Sequence, residues 1–115
     1  MGKIDELQVD QERLAEAWRQ TLPETMNSSD RCEVLADEAD DKALRVTIYS
    51  AGHSMYSFDF KVAYVDSREV KVDLIDVEKD GVSVDERTDM IQQLILDYKR
   101  HLHECAQALQ QLTHA

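Results

Sequence analysis

The chain has 115 residues, 43% hydrophobic and 32% charged, enough for one core and too apolar for disorder, so we expect a single domain over 1–115. Its formal net charge of -11 is uneven: residues 1–41 hold 12 acids and 4 bases (-8), residues 42–115 hold 12 acids and 9 bases (-3). Such a surface repels phosphate backbones and anionic membranes, no apolar run approaches the ~20 residues of a membrane span, and the expectation is a cytoplasmic protein with no direct nucleic-acid or membrane ligand.

The acidic, periodic start, Met-Gly-Lys-Ile-Asp-Glu-Leu, does not read as a signal peptide. Gly2 fits the opening of a myristoylation motif, but Glu6 stands where Ser or Thr is needed. Residues 4–22 predict a first helix, with Ile4, Leu7, Leu14, Ala15, Trp18 and Leu22 on one face and Gln11 as the one polar intruder. Pro23 is expected to stop it, because the residue before a proline disfavours helical geometry. Residues 23–30 read as a polar loop.

Four strand patterns follow. Residues 31–39 alternate weakly through Cys32, Val34 and Ala36, and Asp40-Asp41-Lys42 makes a turn. Residues 43–50 place Leu44, Val46 and Ile48 opposite Arg45, Thr47 and Tyr49. Residues 55–65 alternate most cleanly, with Tyr56, Phe58, Phe60, Val62 and Tyr64 against Ser57, Asp59 and Lys61. Residues 69–77 set Val70, Val72 and Leu74 against Glu69, Lys71 and Asp73, and the phase slips at Leu74-Ile75, which signals a bulge or the strand's end.

Val84 to Leu112 predicts one long helix, opened by a capping box at Ser83-Val84-Asp85-Glu86. Its apolar stripe runs through Val84, Ile91, Leu94, Ile95, Tyr98, Leu102, Cys105, Ala106, Leu109 and Leu112. Short links and clean alternation imply an antiparallel meander with one covered face. The expected fold is therefore α+β: a two-layer sandwich of order α-β-β-β-β-α, its four-stranded sheet covered on one face by an N-terminal and a long C-terminal helix.

Chemistry-bearing patterns are sparse. The three glycines, Gly2, Gly52 and Gly81, are far apart, so no phosphate-cradling loop exists and no nucleotide cofactor is expected. Asp76-Val77-Glu78-Lys79-Asp80-Gly81 imitates the start of a calcium loop, but the twelfth position is Arg87 rather than a bidentate Glu. His101 and Cys105, at i and i+4, could share an ion, whereas His101 and His103 point apart; two ligands do not make a site, and no metal is expected. The same pair lacks an orienting group for nucleophilic catalysis. His53 beside Gly52 reads as a solvent-exposed turn residue. Leu22-Pro23-Glu24-Thr25-Met26 resembles a sortase signal without its glycine or anchor. The aromatic strand side chains belong to the core rather than to a stacking platform for bases. Cys32 and Cys105 read as reduced, partly buried thiols, with a disulfide open only if the first strand passes beneath the last helix.

These readings point to a small acidic protein-interaction module, an adaptor, regulator or binding chaperone, with no catalytic motif. In layout and acidity it is similar to dimeric secretion chaperones, and no residue is carried over from that family. A helix of 29 residues would be ~43 Å long and would overhang strands of ~26 Å, leaving Leu109 and Leu112 for self-association, with Leu96 as a second apolar spot off the stripe. Two alternatives remain open. One is a nucleic-acid-mimicking inhibitor of a basic protein, which needs the acids of residues 5–41 on one contiguous surface. The other is an enzyme or small-ligand binder with a cleft at Tyr98, His101 and Cys105.

Overall fold

Alternation in four segments and two amphipathic stripes generate the architecture seen in the computed structural model, which describes residues 7, 9–26, 30–50, 56–85 and 87–113. The elements run α1 (Gln11–Thr25), β1 (Arg31–Ala36), β2 (Ala43–Tyr49), β3 (Tyr56–Tyr64), β4 (Val70–Lys79), β5 (Val82–Ser83), α2 (Asp89–Ala108) and α3 (Gln110–Thr113). The strands form one antiparallel sheet in the order β1-β2-β3-β4-β5, flanked by helices, so the fold is α+β with a five-stranded sheet rather than the four strands expected.

The fifth strand comes from turn chemistry. Asp80 (φ 56) and Gly81 (φ 79) both sit in the left-handed region, which a two-residue hairpin needs and which Asp-Gly tolerates. The chain folds back so that Ser83 pairs with Glu78 and Val82 with Lys79. Ser83 therefore lies in a strand, and the expected capping box there does not open the last helix; Glu86, its other half, falls outside the described residues. Thr88 is the N-cap instead, its hydroxyl accepting from the Ile91 amide. α2 then has 20 residues, about 30 Å at 1.5 Å per residue, followed by a break at Leu109 and the short α3. That is the length of the ten-residue β4, and the ~43 Å rod with its overhang is replaced by a helix that matches its sheet.

The first helix also shifts. Asp10 caps it, accepting from the Arg13 amide at 3.0 Å, and Ile4 lies outside the described residues. Pro23 does not end it; it sits in the last turn, and the helix continues to Thr25. Tertiary packing outweighs the local preference: Leu22 is fully buried, and the Thr25 hydroxyl contacts the carbonyls of Leu22 (3.0 Å) and His101 (3.3 Å). Gln11, the polar intruder, lies with Nε2 2.9 Å from each of the carbonyls of Asp37, Asp40 and Ala43. One side chain thus fastens the start of α1 to the β1–β2 turn.

Inside, Leu14, Trp18 and Leu22 of α1 meet Val46, Ile48, Phe58, Phe60 and Val62 of the sheet and Leu102 of α2 in one apolar cluster. The phase slip at Leu74-Ile75 is a β-bulge: Phe60 faces Leu74 and Asp59 faces Asp76, leaving Ile75 as the extra residue.

In the β1–β2 turn, the Asp37 carboxylate accepts from the amides of Ala39 (2.8 Å) and Asp40 (3.0 Å), with Arg45 3.9 Å away. The amide bonds, first that from Ala39, hold its carboxyl below the usual range, aided by the charges of Lys61 and Arg45. A lowered value means stability that is present above the unfolded carboxylate range and is lost as pH falls through the folded value. Asp37→Asn should therefore cost about 1 kcal/mol at neutral pH, and the gap to wild type should close in acid. Urea midpoints measured at both pH values check this; a constant gap would mean the charge is irrelevant.

Candidate functional site

The residues singled out from sequence take very different places. Tyr98 is buried, packed edge-to-face on Phe58 with ring centroids 5.1 Å apart. Burial pushes its hydroxyl's pKa up, and that hydroxyl bonds to Ser50 and Asp30. Cys105 is fully buried, and desolvation drives its thiol up to about 12, with nearby Cys32 adding a smaller push in the same direction. Both cysteines are free. A reactive or metal-binding sulfur needs its pKa lowered, so this environment favours an inert core thiol. His101 stands at the edge of α2 with Nδ1 2.9 Å from Glu104 Oε1, bonded along its own helix rather than toward Cys105. No group of three or more metal-capable side chains occurs among the described residues. The imitation calcium loop is spread over β4 and its hairpin, and the Asp76 carboxylate is engaged by the Val77 amide (2.9 Å) and the Ser83 hydroxyl (2.6 Å). His53 lies outside the described residues.

Of the expected contact residues, Leu109 is half-buried and packs on the chain's own core. Leu112 is half-buried in α3, which the Thr113 hydroxyl ties to the Ser67 carbonyl at 2.8 Å. Leu96 is different: 62% of it is exposed.

The sheet's outward side carries Arg31, Glu33, Thr47, Asp59, Lys61 and Asp76. Asp59 and Asp76 face each other in register, and each accepts a 2.6 Å hydrogen bond from a hydroxyl, Thr47 and Ser83 respectively. Arg31 lies over the Tyr49 ring, 5.4 Å from its centroid, and the Tyr49 hydroxyl donates to Glu33 at 3.2 Å. A shallow cleft here is lined by Leu35, Asp37, Arg45, Thr47 and Asp59. The charges are paired or hydrogen-bonded in rows, which suits a solvated sheet surface.

The two sheet edges differ, and sequence periodicity could not anticipate it. Along β1, one outward carbonyl is met by α1: Arg19 Nε donates to the Val34 carbonyl at 2.9 Å. Along β4, β5 pairs with Glu78 and Lys79, and the Val84 amide just after it donates to the Val77 carbonyl at 3.0 Å. The Val65 amide bonds the Glu69 carbonyl at 2.9 Å, and Ala63–Lys71 and Lys61–Asp73 follow in the same register. Bonded pairs alternate along an antiparallel ladder, so Lys71 and Asp73 use their backbone groups toward β3, and Val70, Val72 and Leu74 turn theirs outward. No hydrogen bond from another described residue reaches these outward groups, although Val70 and Val72 are themselves largely buried beneath α2. Beside this edge, a cleft is lined by Glu69, Val70, His103, Ala106 and Gln107. Leu96 precedes His103 by seven residues, two helical turns, so it lies on the same flank of α2.

No protein-family model, curated protein or solved structure matches the chain.

Proposed function

We propose that this chain is a cytoplasmic protein-interaction module, an adaptor, regulator or binding chaperone, that acts as a homodimer and carries no catalytic centre or cofactor. In this reading the sheet is one layer and the two long helices the other, so one sheet face and one edge are left for partners. The observation that carries it is the β4 side of the molecule: an outward-turned strand edge next to exposed Leu96, with Ile75 and Val82 also exposed at the end of that strand region. Open edges and large exposed apolar side chains are what proteins use, or must shield, at interfaces. The nucleic-acid-mimic reading has less support. Asp37 is buried and satisfied by backbone amides, and Arg45 and Lys61 intrude on the acids of the β1–β2 turn. The cleft-enzyme reading has less still, because Tyr98, His101 and Cys105 are each occupied in structural contacts.

Affinity capture from native cytoplasm, comparing wild type with Leu96→Glu, tests the proposal. One protein retained at near-stoichiometric yield by wild type, and weakened by the variant, is the expected result. A nucleic-acid enzyme as that partner would move the reading to mimicry. Micromolar binding of DNA by the chain at physiological salt would overturn it.

A further inference from the structure

The β4 edge has a repeating sequence, Val70-Lys71-Val72-Asp73-Leu74, that is complementary to itself when reversed. We infer that two copies of this chain pair antiparallel along this edge, with the twofold axis at Val72, to form one continuous sheet. The inference rests on the reading of the chain as a homodimeric interaction module, and it specifies the surface that reading leaves open.

Three observations converge on this register. Placing Val72 opposite Val72 of the second copy sets Val70 opposite Leu74, and these are the residues whose N–H and C=O groups point outward from β4. Each such pair exchanges two backbone hydrogen bonds, so the stretch supplies a full ladder without moving the strand. A shift by one residue would instead present backbone groups already used by β3.

The same register places Lys71 opposite Asp73 of the second copy, twice by symmetry. Both side chains lie on the outward sheet face and are well exposed, 70% for Lys71 and 50% for Asp73, so both are available to a partner strand. Their contact within one chain is long, 3.8 Å, and leaves room for the cross-strand pair. Opposite charges directly across a ladder attract, whereas equal charges repel. In the neighbouring register with Asp73 opposite Asp73, the acids would face one another.

On the other face, Val70, Val72 and Leu74 continue the chain's own apolar layer up to the edge. A second strand would extend that layer beneath the α2 flank that carries His103 and exposed Leu96. The opposite edge is a poorer template, because Arg19 of α1 already takes the Val34 carbonyl in the middle of β1. Closed twofold pairing also uses up the β4 edge, so growth through this edge stops at the dimer.

The experiment is light scattering on the purified full chain across a concentration series, with three charge variants. Wild type is expected at twice the 13.2 kDa chain mass. Lys71→Glu and Asp73→Lys each replace two attractive pairs with two repulsive ones and should weaken the dimer by about tenfold or more. The exchanged double variant, Lys71→Asp with Asp73→Lys, restores both pairs and should return to the dimer. Amide exchange supplies an independent readout: the Val70, Val72 and Leu74 protons should become protected as concentration rises. A wild-type monomer at high micromolar concentration would overturn the inference, as would a dimer indifferent to the single reversals or an exchanged variant no better than they are. A wild-type monomer would remove the homodimer from the proposed function as well but leave a captured partner protein standing, whereas a dimer indifferent to the reversals would fail this inference alone.

Discussion

Trp18→Ala should be the most damaging single truncation in the first helix, lowering stability by about 3–5 kcal/mol. Trp18 is fully buried and its indole Nε1 donates to the Tyr64 hydroxyl at 3.1 Å. Removing the ring opens a cavity between α1 and the sheet and leaves a buried hydroxyl without its donor. A domain of this size is stable by only about 5–15 kcal/mol, so the variant should lie near the limit of folding. Two milder substitutions keep the test readable. Tyr64→Phe strands the indole N–H and should cost about 1–3 kcal/mol, while Trp18→Phe combined with Tyr64→Phe removes both partners and should cost less than the sum of the two. Denaturant midpoints decide it. An unchanged midpoint for Trp18→Ala would place Trp18 on a surface, and additive effects would deny the hydrogen bond a role.

Alkaline conditions should unfold the protein well before a typical domain fails. Burial raises the Tyr64 hydroxyl from 10.0 to about 12, partly offset by the bond from Trp18, and raises the Cys105 thiol from 9.0 to about 12. In the unfolded chain these protons leave near their ordinary values, so above pH 9 the folded state binds more protons than the unfolded one. Stability from keeping the groups neutral is therefore complete below those values and is lost as pH rises toward 12. Each group costs about 1.4 kcal/mol per pH unit between its ordinary and its raised value, a total on the order of 7 kcal/mol by pH 12, comparable to the whole stability. Tyr98 and Tyr49 shift in the same direction and add to the slope. Urea midpoints from pH 8 to 11 should fall steadily, and Cys105→Ala should flatten the curve above pH 9 at some cost near neutrality. Parallel curves for the variant and wild type would show that the thiol titrates as it does in the unfolded chain.

Local pattern alone determined much of this protein. Period-two alternation identified β1 to β4 and their inward faces, from Val34 through Phe58 and Phe60 to Val72, because a strand's side chains alternate whatever it packs against. The helical stripes placed Trp18, Leu22, Tyr98 and Leu102 inside for the same reason. The bulge at Ile75 was legible as a slip of phase, and the missing glycine loops spoke against nucleotide motifs.

Tertiary structure decided the boundaries and the surfaces. Pro23 stays helical because Leu22 is buried and Thr25 reaches His101, 76 residues away. Gln11 looked like a flaw in the first stripe until the β1–β2 turn arrived against it from 26 to 32 residues downstream. Asp80-Gly81 carried a local hairpin signal, but it competed with an apparent cap at Ser83, and pairing with Glu78 resolved the competition. That turn moved the start of the last helix from Val84 to Asp89, while a separate break at Leu109 sets its end and leaves Leu109 packed on the core. The inequality of the two sheet edges has no periodic signature, because it depends on which strand end a helix from elsewhere covers. Side-chain alternation reports which face is buried; only the assembled chain reveals which backbone groups are left without a neighbour.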